Sequence, residues 1–242
     1  MSAAGLEVAA DSIGSAVAAQ QGGAMRVELC GGLDGGGLTP SFGTLAVVRE
    51  RLQIPLYVLI RPRVGDFVFN ADEVEVMRRD VEQCVRIGCD GVVLGALDRD
   101  GQVDLATMRV LIAAAATLGV TFHRAIDVSA DPLRALDAAI ALGCERVLTS
   151  GARASAIDGI ETIAAMTERA AGRIVVMPGA GVSEHNIAAL RAGTGAHEFH
   201  ASLRGPVAAQ VHAPHAHISD LGGDYQRTDV ARVRRFVELL HR

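Results

Sequence analysis

The sequence repeats one short pattern in which a helix end, a glycine and an apolar strand follow one another. The pattern occurs three times, as GGAMRVEL at 22–29, IGCDGVVL at 87–94 and LGCERVLT at 142–149. Glycine ends a helix because it adopts the left-handed backbone conformation at little cost, and the apolar run after it is typical of a buried strand. The repeated unit therefore predicts parallel strands that are joined by crossover helices.

Short apolar runs of this kind occur eight times along the chain. Eight units in 242 residues leave about thirty residues for each strand, helix and pair of loops, which is the spacing of a (β/α)₈ barrel. A doubly wound open sheet would alternate in the same way, but the turn AADSIGS after the first run has no G-x-G-x-x-G motif. No linker interrupts the chain. We therefore predict one α/β domain over 1–242, a single (β/α)₈ TIM barrel with strands at 6–9, 26–30, 56–61, 91–95, 120–125, 146–150, 173–177 and 198–202.

The composition argues against several kinds of chemistry. All 23 basic residues are arginines, so the chain has no amine side chain for a Schiff base, for attachment of pyridoxal phosphate (PLP) or for a P-loop. The missing glycine motif argues against NAD as a cofactor. A net charge of −5, with six Phe, two Tyr and no Trp, argues against nucleic acid as a partner.

Segment length and cysteine spacing predict where the protein resides. The first residues do not form a basic leader and no apolar run is long enough to cross a bilayer, so we expect neither a signal peptide nor a membrane partner. The four cysteines match no zinc or disulfide spacing. This favours a reducing, cytoplasmic setting.

Polar side chains occur where the predicted strands end. The active site of a TIM barrel lies at the C-terminal ends of its strands, and alternation along each strand turns every second side chain inward. Carboxylates, imidazoles and an arginine in one active-site cavity supply partners for acid/base catalysis. The catalytic candidates are Glu7, Glu28, Arg61, His123, Asp127 and His200. A competing interpretation is a structural layer in which Glu7 or Glu28 pairs with Arg61.

The last two predicted units contain small residues that are typical of an anion site. TIM barrels bind phosphate with the loops after the seventh and eighth strands, where glycines let backbone N–H groups approach the anion and a helix begins. The predicted helix here starts at Ser183. The predicted anion-binding residues are Ser150, Gly151, Gly179, Gly181, Ser202 and Arg204, and ordinary turn geometry is the alternative interpretation.

A histidine-rich segment follows the eighth strand. His212, His215 and His217 lie close together in the chain, and imidazoles bind copper, zinc or nickel. A metal site needs three or four ligands at one point, so exposed histidines without a metal are the alternative interpretation.

Eight ordered motifs carry a family resemblance. They are LEVAADS, GGAMRVELCGGLDGGGLTPS, PLYVLIRPRVGDFVF, GCDGVVLGALDRDGQVD, VTFHRAIDV, LGCERVLTSG, GRIVVMPGAGVSEHNI and EFHASLRG. With them the chain resembles the CutC family of copper homeostasis proteins over essentially its whole length. The resemblance implies a cytosolic TIM barrel that assembles as a homodimer or larger oligomer and handles copper, and it implies no particular reaction.

One position departs from the pattern of the family. Members with a Cu(I) site carry a cysteine in the first strand beside a cysteine in the second, whereas this chain has Ala9 and keeps only Cys30. Cu(I) favours soft sulfur ligands, and a single thiolate cannot give two-sulfur coordination. A copper site at Cys30 would need a further ligand from His123, His200, Met177 or the segment 212–217.

Two hypotheses about function result. The family resemblance implies copper binding and copper homeostasis, with copper as the ligand. The residues at the predicted mouth favour the alternative, a lysine-independent TIM-barrel enzyme of the acid/base lyase or isomerase type that acts on a small anionic or phosphorylated substrate.

Overall fold

Eight parallel strands form the centre of the molecule. The computed structural model describes residues 4–211 and 223–241. The strands are ordered β7-β6-β5-β4-β3-β2-β1-β8, and β7 packs beside β8 to close the barrel. This confirms the predicted (β/α)₈ TIM barrel. The strands are β1 Gly5–Ala10, β2 Arg26–Leu29, β3 Leu56–Leu59, β4 Gly91–Leu94, β5 Gly119–Phe122, β6 Arg146–Thr149, β7 Val175–Pro178 and β8 Glu198–Ala201.

Helices alternate with the strands and cover the outside of the barrel. Ser12 caps the first helix, Asn70 forms a capping box with Glu73, and Asp131 caps the helix that opens with Pro132. These polar groups satisfy N–H groups that have no partner in the first helical turn. The helices are α1 Ile13–Gly22, α2 Phe42–Arg51, α3 Ala71–Ile87, α4 Leu105–Ala115, α5 Pro132–Ala141, α6 Ile160–Ala170, α7 Ile187–Thr194 and α8 Val230–Leu240.

The seventh helix begins later than the sequence predicts. Its N-cap is Asn186, and Ser183 lies in a turn where its N–H donates to Asn186 Oδ1 at 2.9 Å. Asn186 in turn donates to the carbonyl of Gly181. The regular helix therefore begins at Ile187, but Ser183 still caps the turn that leads into it, since its Oγ accepts the N–H of His185 at 3.3 Å and its carbonyl accepts the N–H of Ile187 at 3.1 Å.

A short hairpin follows β8 and was not predicted. Strand β9, Arg204–Val207, pairs antiparallel with β10, Tyr225–Thr228. His212, His215 and His217 lie between these two strands, outside the residues that the structure describes. Within the described parts of the chain, no helix combines the length and the apolar character needed to cross a membrane.

The interior of the barrel is polar towards the N-terminal ends of the strands. Arg26 pairs with Glu7 and, at 2.7 Å, with Glu198, whose carboxylate also accepts from Arg146 at 3.0 Å. Both guanidinium groups lie about 5 Å from the ring of Tyr57, at 5.1 and 5.3 Å from its centroid. All four charged residues are buried, so this network is a paired layer that fixes the base of the barrel.

Candidate active site

A cavity of about 500 Å³ opens at the C-terminal ends of the strands. This volume suits a small molecule. Strands and loops from around the barrel line it, and most of the predicted site residues are among the lining side chains. Those that carry the chemistry discussed below are Glu28, Cys30, Arg61, His123, Asp127, His200, Ser202 and Arg204, with Gly181 at the rim.

Two carboxylates flank one imidazole at the floor of this cavity. His200 Nδ1 lies 2.8 Å from Glu7 Oε1, and His200 Nε2 lies 3.5 Å from Glu28 Oε2. The strand register explains the cluster, because β1 pairs Glu7 with His200 on one side and with Arg26 on the other. Glu7 is fully buried beneath the cavity, whereas Glu28 and His200 line it.

The environment separates the pKa values of the two carboxyl groups. Burial works to raise the pKa of Glu7, but the charges of Arg26 and His200 outweigh it and lower that pKa to about 2. Burial raises the pKa of Glu28 to about 7, against a smaller opposing effect of His200. Burial works to lower the pKa of His200, and the two glutamates raise it above its usual value. A permanently ionised carboxylate therefore sits behind a carboxyl group that titrates near neutral pH.

His123 is held as a neutral imidazole. Its Nδ1 accepts the N–H of Ala125 at 3.2 Å, which leaves the ring proton on Nε2. Burial and the charge of Arg61 lower the pKa of His123 to about 3. The ring packs against Phe67 with 4.9 Å between centroids, and Gly95 leaves it room because a Cβ there would overlap the imidazole.

Arg61 is a buried cation that lacks a carboxylate partner among the residues described. Its guanidinium NH1 donates to the carbonyl of Gly37 at 3.2 Å and its NH2 to that of Gly65 at 2.8 Å. Burial, followed by the charge of Arg63, lowers its pKa. Neither Glu7 nor Glu28 pairs with Arg61, because Glu7 pairs with Arg26 instead. The alternative interpretation, in which an ion pair with Arg61 holds the barrel together, is therefore wrong. An unneutralised buried cation favours an anionic ligand.

Asp127 lies at the cavity wall, but its oxygens are occupied by the neighbouring loop. They accept from Ser150 N at 3.0 Å, from Thr149 Oγ1 at 2.6 Å and from Ala152 N at 3.1 Å, and Arg124 donates to them at 2.8 Å. These donors occupy both carboxylate oxygens of Asp127. Its geometry suits a residue that positions the loop after β6.

The predicted anion-binding residues divide into two groups. The N–H groups of Ser150, Gly151 and Gly179 already donate inside the protein, to Asp127, Thr149 Oγ1 and the carbonyl of Thr149. The others, Gly181, Ser202 and Arg204, line the cavity and also a smaller one of about 310 Å³ beside it. Arg204 pairs with the exposed Asp34 at 2.9 Å, a contact that an incoming anion can replace.

The donors around Cys30 do not fit a Cu(I) site. Its thiol is buried, approaches the carbonyl of Ala10 at 3.6 Å, and has its pKa raised by burial and then by Glu28 and Asp11. The thiolate that copper needs is thus disfavoured. Met177 contacts the Arg26 guanidinium at 3.7 Å, below the cavity. In the described ranges, no three His, Cys, Asp or Glu side chains are arranged to hold a metal ion.

Comparison with known proteins assigns the family. The CutC family model matches residues 4–205. The chain belongs to the CutC family. A CutC family protein of Xanthomonas campestris pv. campestris strain B100 is 83% identical and covers 98% of each chain. The human protein named copper homeostasis protein cutC homolog is 50% identical over 82% of this chain and 73% of its own.

A crystal structure supports the same assignment. The structure of a CutC protein from Streptococcus agalactiae superposes with a TM-score of 0.79 at 32% identity, covering 82% of this chain and 98% of that one. The human relative and the Streptococcus agalactiae protein both carry copper homeostasis in their names.

Several site residues were missed by the sequence analysis. Arg26 sets the charge of Glu7, Phe67 packs on both Arg61 and His123, and Arg124 donates to Asp127 and Ser150. Arg26 opens a predicted strand on the same face as Glu28, which is a signal that alternation alone could have supplied. Phe67 lies in a loop and gave no such signal.

Proposed function

We propose that this CutC family member is an acid/base enzyme of the lyase or isomerase type that acts on a small anionic substrate. The observation that carries the proposal is the Glu7, His200 and Glu28 cluster at the floor of the cavity. A carboxyl group that titrates near pH 7 is a suitable general acid or base, since catalysis is best when the pKa lies close to the working pH.

Each residue has a proposed role. Glu28 transfers the proton, and His200, oriented by Glu7, holds Glu28 in place. Arg61 is the counterion of the anionic substrate. Asp127 positions the loop after β6 through its hydrogen bonds to the backbone of that loop. A phosphate on the substrate would bind at Gly181, Ser202 and Arg204.

Deuterium transfer from solvent tests the proposal without assuming a substrate. The full chain is incubated in D₂O with a mixture of hydroxy acids, 2-oxo acids and sugar phosphates, and mass spectrometry records which compounds gain deuterium. A base that removes a C–H proton exchanges it with solvent, so wild type should label at least one compound. Glu28→Gln should lose about 10²-fold or more of the rate, whereas Glu168→Gln on the exposed face of α6 should not. Equal labelling by wild type and Glu28→Gln would refute the proposal.

Copper binding is the second candidate, because Cys30 lines the cavity and the human relative is named for copper homeostasis. Anaerobic titration of the reduced protein with Cu(I) against a competing chelator tests it. Copper binding at this site predicts one tight site that weakens in Cys30→Ser and not in Cys144→Ser, a buried thiol elsewhere. If Cys30 is not a copper ligand, the two variants should have the same affinity for Cu(I).

We also propose a cellular setting for the protein. All four cysteines are free and buried, which supports a cytoplasmic location. The homodimer that the family resemblance implies stays a prediction.

A further inference from the structure

Two N–H groups in the cavity wall have no acceptor within the described parts of the chain. They are Nε2 of His123 and Nε of Arg61, and both atoms are buried. The side chains are 4% and 8% exposed, and both line the cavity that Glu28 and His200 also line. Leaving a buried donor unpaired costs about 1–3 kcal/mol, so such groups in a cavity call for an acceptor from a ligand.

One aromatic ring contacts the side chains of both donors. The centroid of the Phe67 ring lies 4.9 Å from the guanidinium carbon of Arg61 and 4.9 Å from the centroid of the His123 ring. The carbonyls of Gly37 and Gly65 fix the guanidinium, and the N–H of Ala125 fixes the imidazole. Preorganised donors stabilise developing negative charge without a cost of reorganisation.

One donor is neutral and the other is charged, and this difference indicates which ligand group each of them binds. A neutral imidazole N–H is a weak acid whose strength matches an enolate oxygen, so it polarises a carbonyl group without protonating it. The guanidinium supplies the permanent positive charge that a neighbouring carboxylate requires. Phosphate alone would not need the neutral donor.

We infer that the substrate is a small 2-oxo acid, in which the carbonyl group lies between the carboxylate and an acidic C–H bond, and that His123 is a catalytic residue that donates Nε2–H to the carbonyl oxygen. Glu28 removes the proton from carbon, the C–H electron pair forms a C=C bond, and the carbonyl π pair moves onto oxygen as an enolate. The carboxyl group of Glu28 then exchanges this proton with solvent, and transfer of the solvent-derived proton back to carbon restores the carbonyl and completes the exchange. This inference rests on the proposed acid/base function and specifies its substrate class.

Oxalate and malonate are the probes that test it. Oxalate carries oxygens on adjacent carbons, as the enolate of a 2-oxo acid does, whereas malonate has the same charge with one carbon between. Isothermal titration calorimetry of the full chain should show oxalate binding at least about ten-fold more tightly than malonate, as expected for a mimic of the reacting state.

Three variants identify the side chain on which the preference for oxalate depends. His123→Phe keeps the packing on Phe67 and removes the N–H, and it should lose about ten-fold in oxalate affinity with malonate affinity unchanged. His123→Gln retains an N–H donor and should recover part of that loss. Glu28→Gln should still bind oxalate, because it removes the base and not the donors.

Equal affinities for oxalate and malonate, or an oxalate affinity that His123→Phe leaves unchanged, would overturn the inference. The two proposals fail separately. If oxalate binding depends on His123 but no compound gains deuterium, the acid/base function fails and the binding site stands. If deuterium transfer depends on Glu28 but oxalate is not preferred, the substrate class fails and the function stands.

Discussion

Two neighbouring glutamates illustrate how single contacts set chemistry at the residue scale. Glu7 and Glu28 both face His200, yet only Glu7 has a guanidinium in contact, that of Arg26. The first is therefore a fixed negative charge and the second a group that titrates near neutrality. Environment, not residue type, separates their roles.

The same difference predicts opposite effects on stability. The folded pKa of Glu28, about 7, lies above its ordinary 4.5, so the unfolded chain loses this proton first and stability falls as pH rises between those values. The change in unfolding free energy on Glu28→Gln should therefore be about 2–3 kcal/mol more favourable at pH 8 than at pH 5. Urea unfolding at the two pH values measures this. If the stability difference between Glu28→Gln and wild type is the same at both pH values, Glu28 is not a buried carboxyl group that titrates near neutral pH.

Glu7 provides the matched comparison. Its folded pKa, about 2, lies below 4.5, so its stabilisation is present above pH 4.5 and is lost as pH falls towards 2. Glu7→Gln should lose about 3 kcal/mol in the free energy of unfolding at pH 7. A gain of stability in both glutamine variants at pH 8 would show that the two sites do not differ as described.

At the scale of elements, periodicity predicted the strands well because the signal is local. Each of the eight predicted runs contains or overlaps an observed strand, and alternation correctly placed Glu28 and Cys30 on one inward face. Pairing was harder to predict, since register between strands depends on contacts that are distant in sequence. For this reason the alternative interpretation paired Glu7 or Glu28 with Arg61, whereas the observed partner of Glu7 is Arg26.

Loops were predicted least well, because their conformation depends on side chains of neighbouring elements. Gly151 and Ser150 have the composition of an anion loop, but Asp127 organises their backbone from the other side. The hairpin of β9 and β10 also went unpredicted, since each of its strands has only four residues and little apolar character.

Two glycines test how tightly the loop after β6 is packed. Gly151 and Gly88 both have left-handed backbones, with φ of 69° and 78°. A Cβ at Gly151 would overlap the backbone of Gly159, whereas a Cβ at Gly88 would meet nothing within 4 Å. Gly88→Ala should cost about 1 kcal/mol and Gly151→Ala well over 2 kcal/mol of unfolding free energy. Equal costs in thermal or urea unfolding would contradict the packing.

At the scale of the whole molecule, the barrel separates stability from chemistry along its axis. The paired layer of Arg26, Arg146 and Glu198 lies towards the N-terminal ends of the strands, and the cavity lies at their C-terminal ends. This division is general for TIM barrels. In this chain it leaves Arg61 as the buried cation that, within the described ranges, no carboxylate neutralises.

The absence of lysine limits the chemistry that is available to the whole molecule. Amine-based chemistry on this barrel is excluded by the sequence alone. Positive charge at the mouth then comes from arginine, and carboxyl and imidazole groups are available there for proton transfer. In the structure, two such groups, Glu28 and His200, lie next to each other at the floor of the cavity.

The pH dependence of deuterium transfer tests the central claim, that Glu28 is the base of an acid/base site, most directly. For the compound that wild type labels fastest, the rate should rise with pH and level off above about 7, as Glu28 loses its proton, and the rise should be absent in Glu28→Gln. A rate that is independent of pH between 5 and 9, or a profile that Glu28→Gln shares with wild type, would contradict the account.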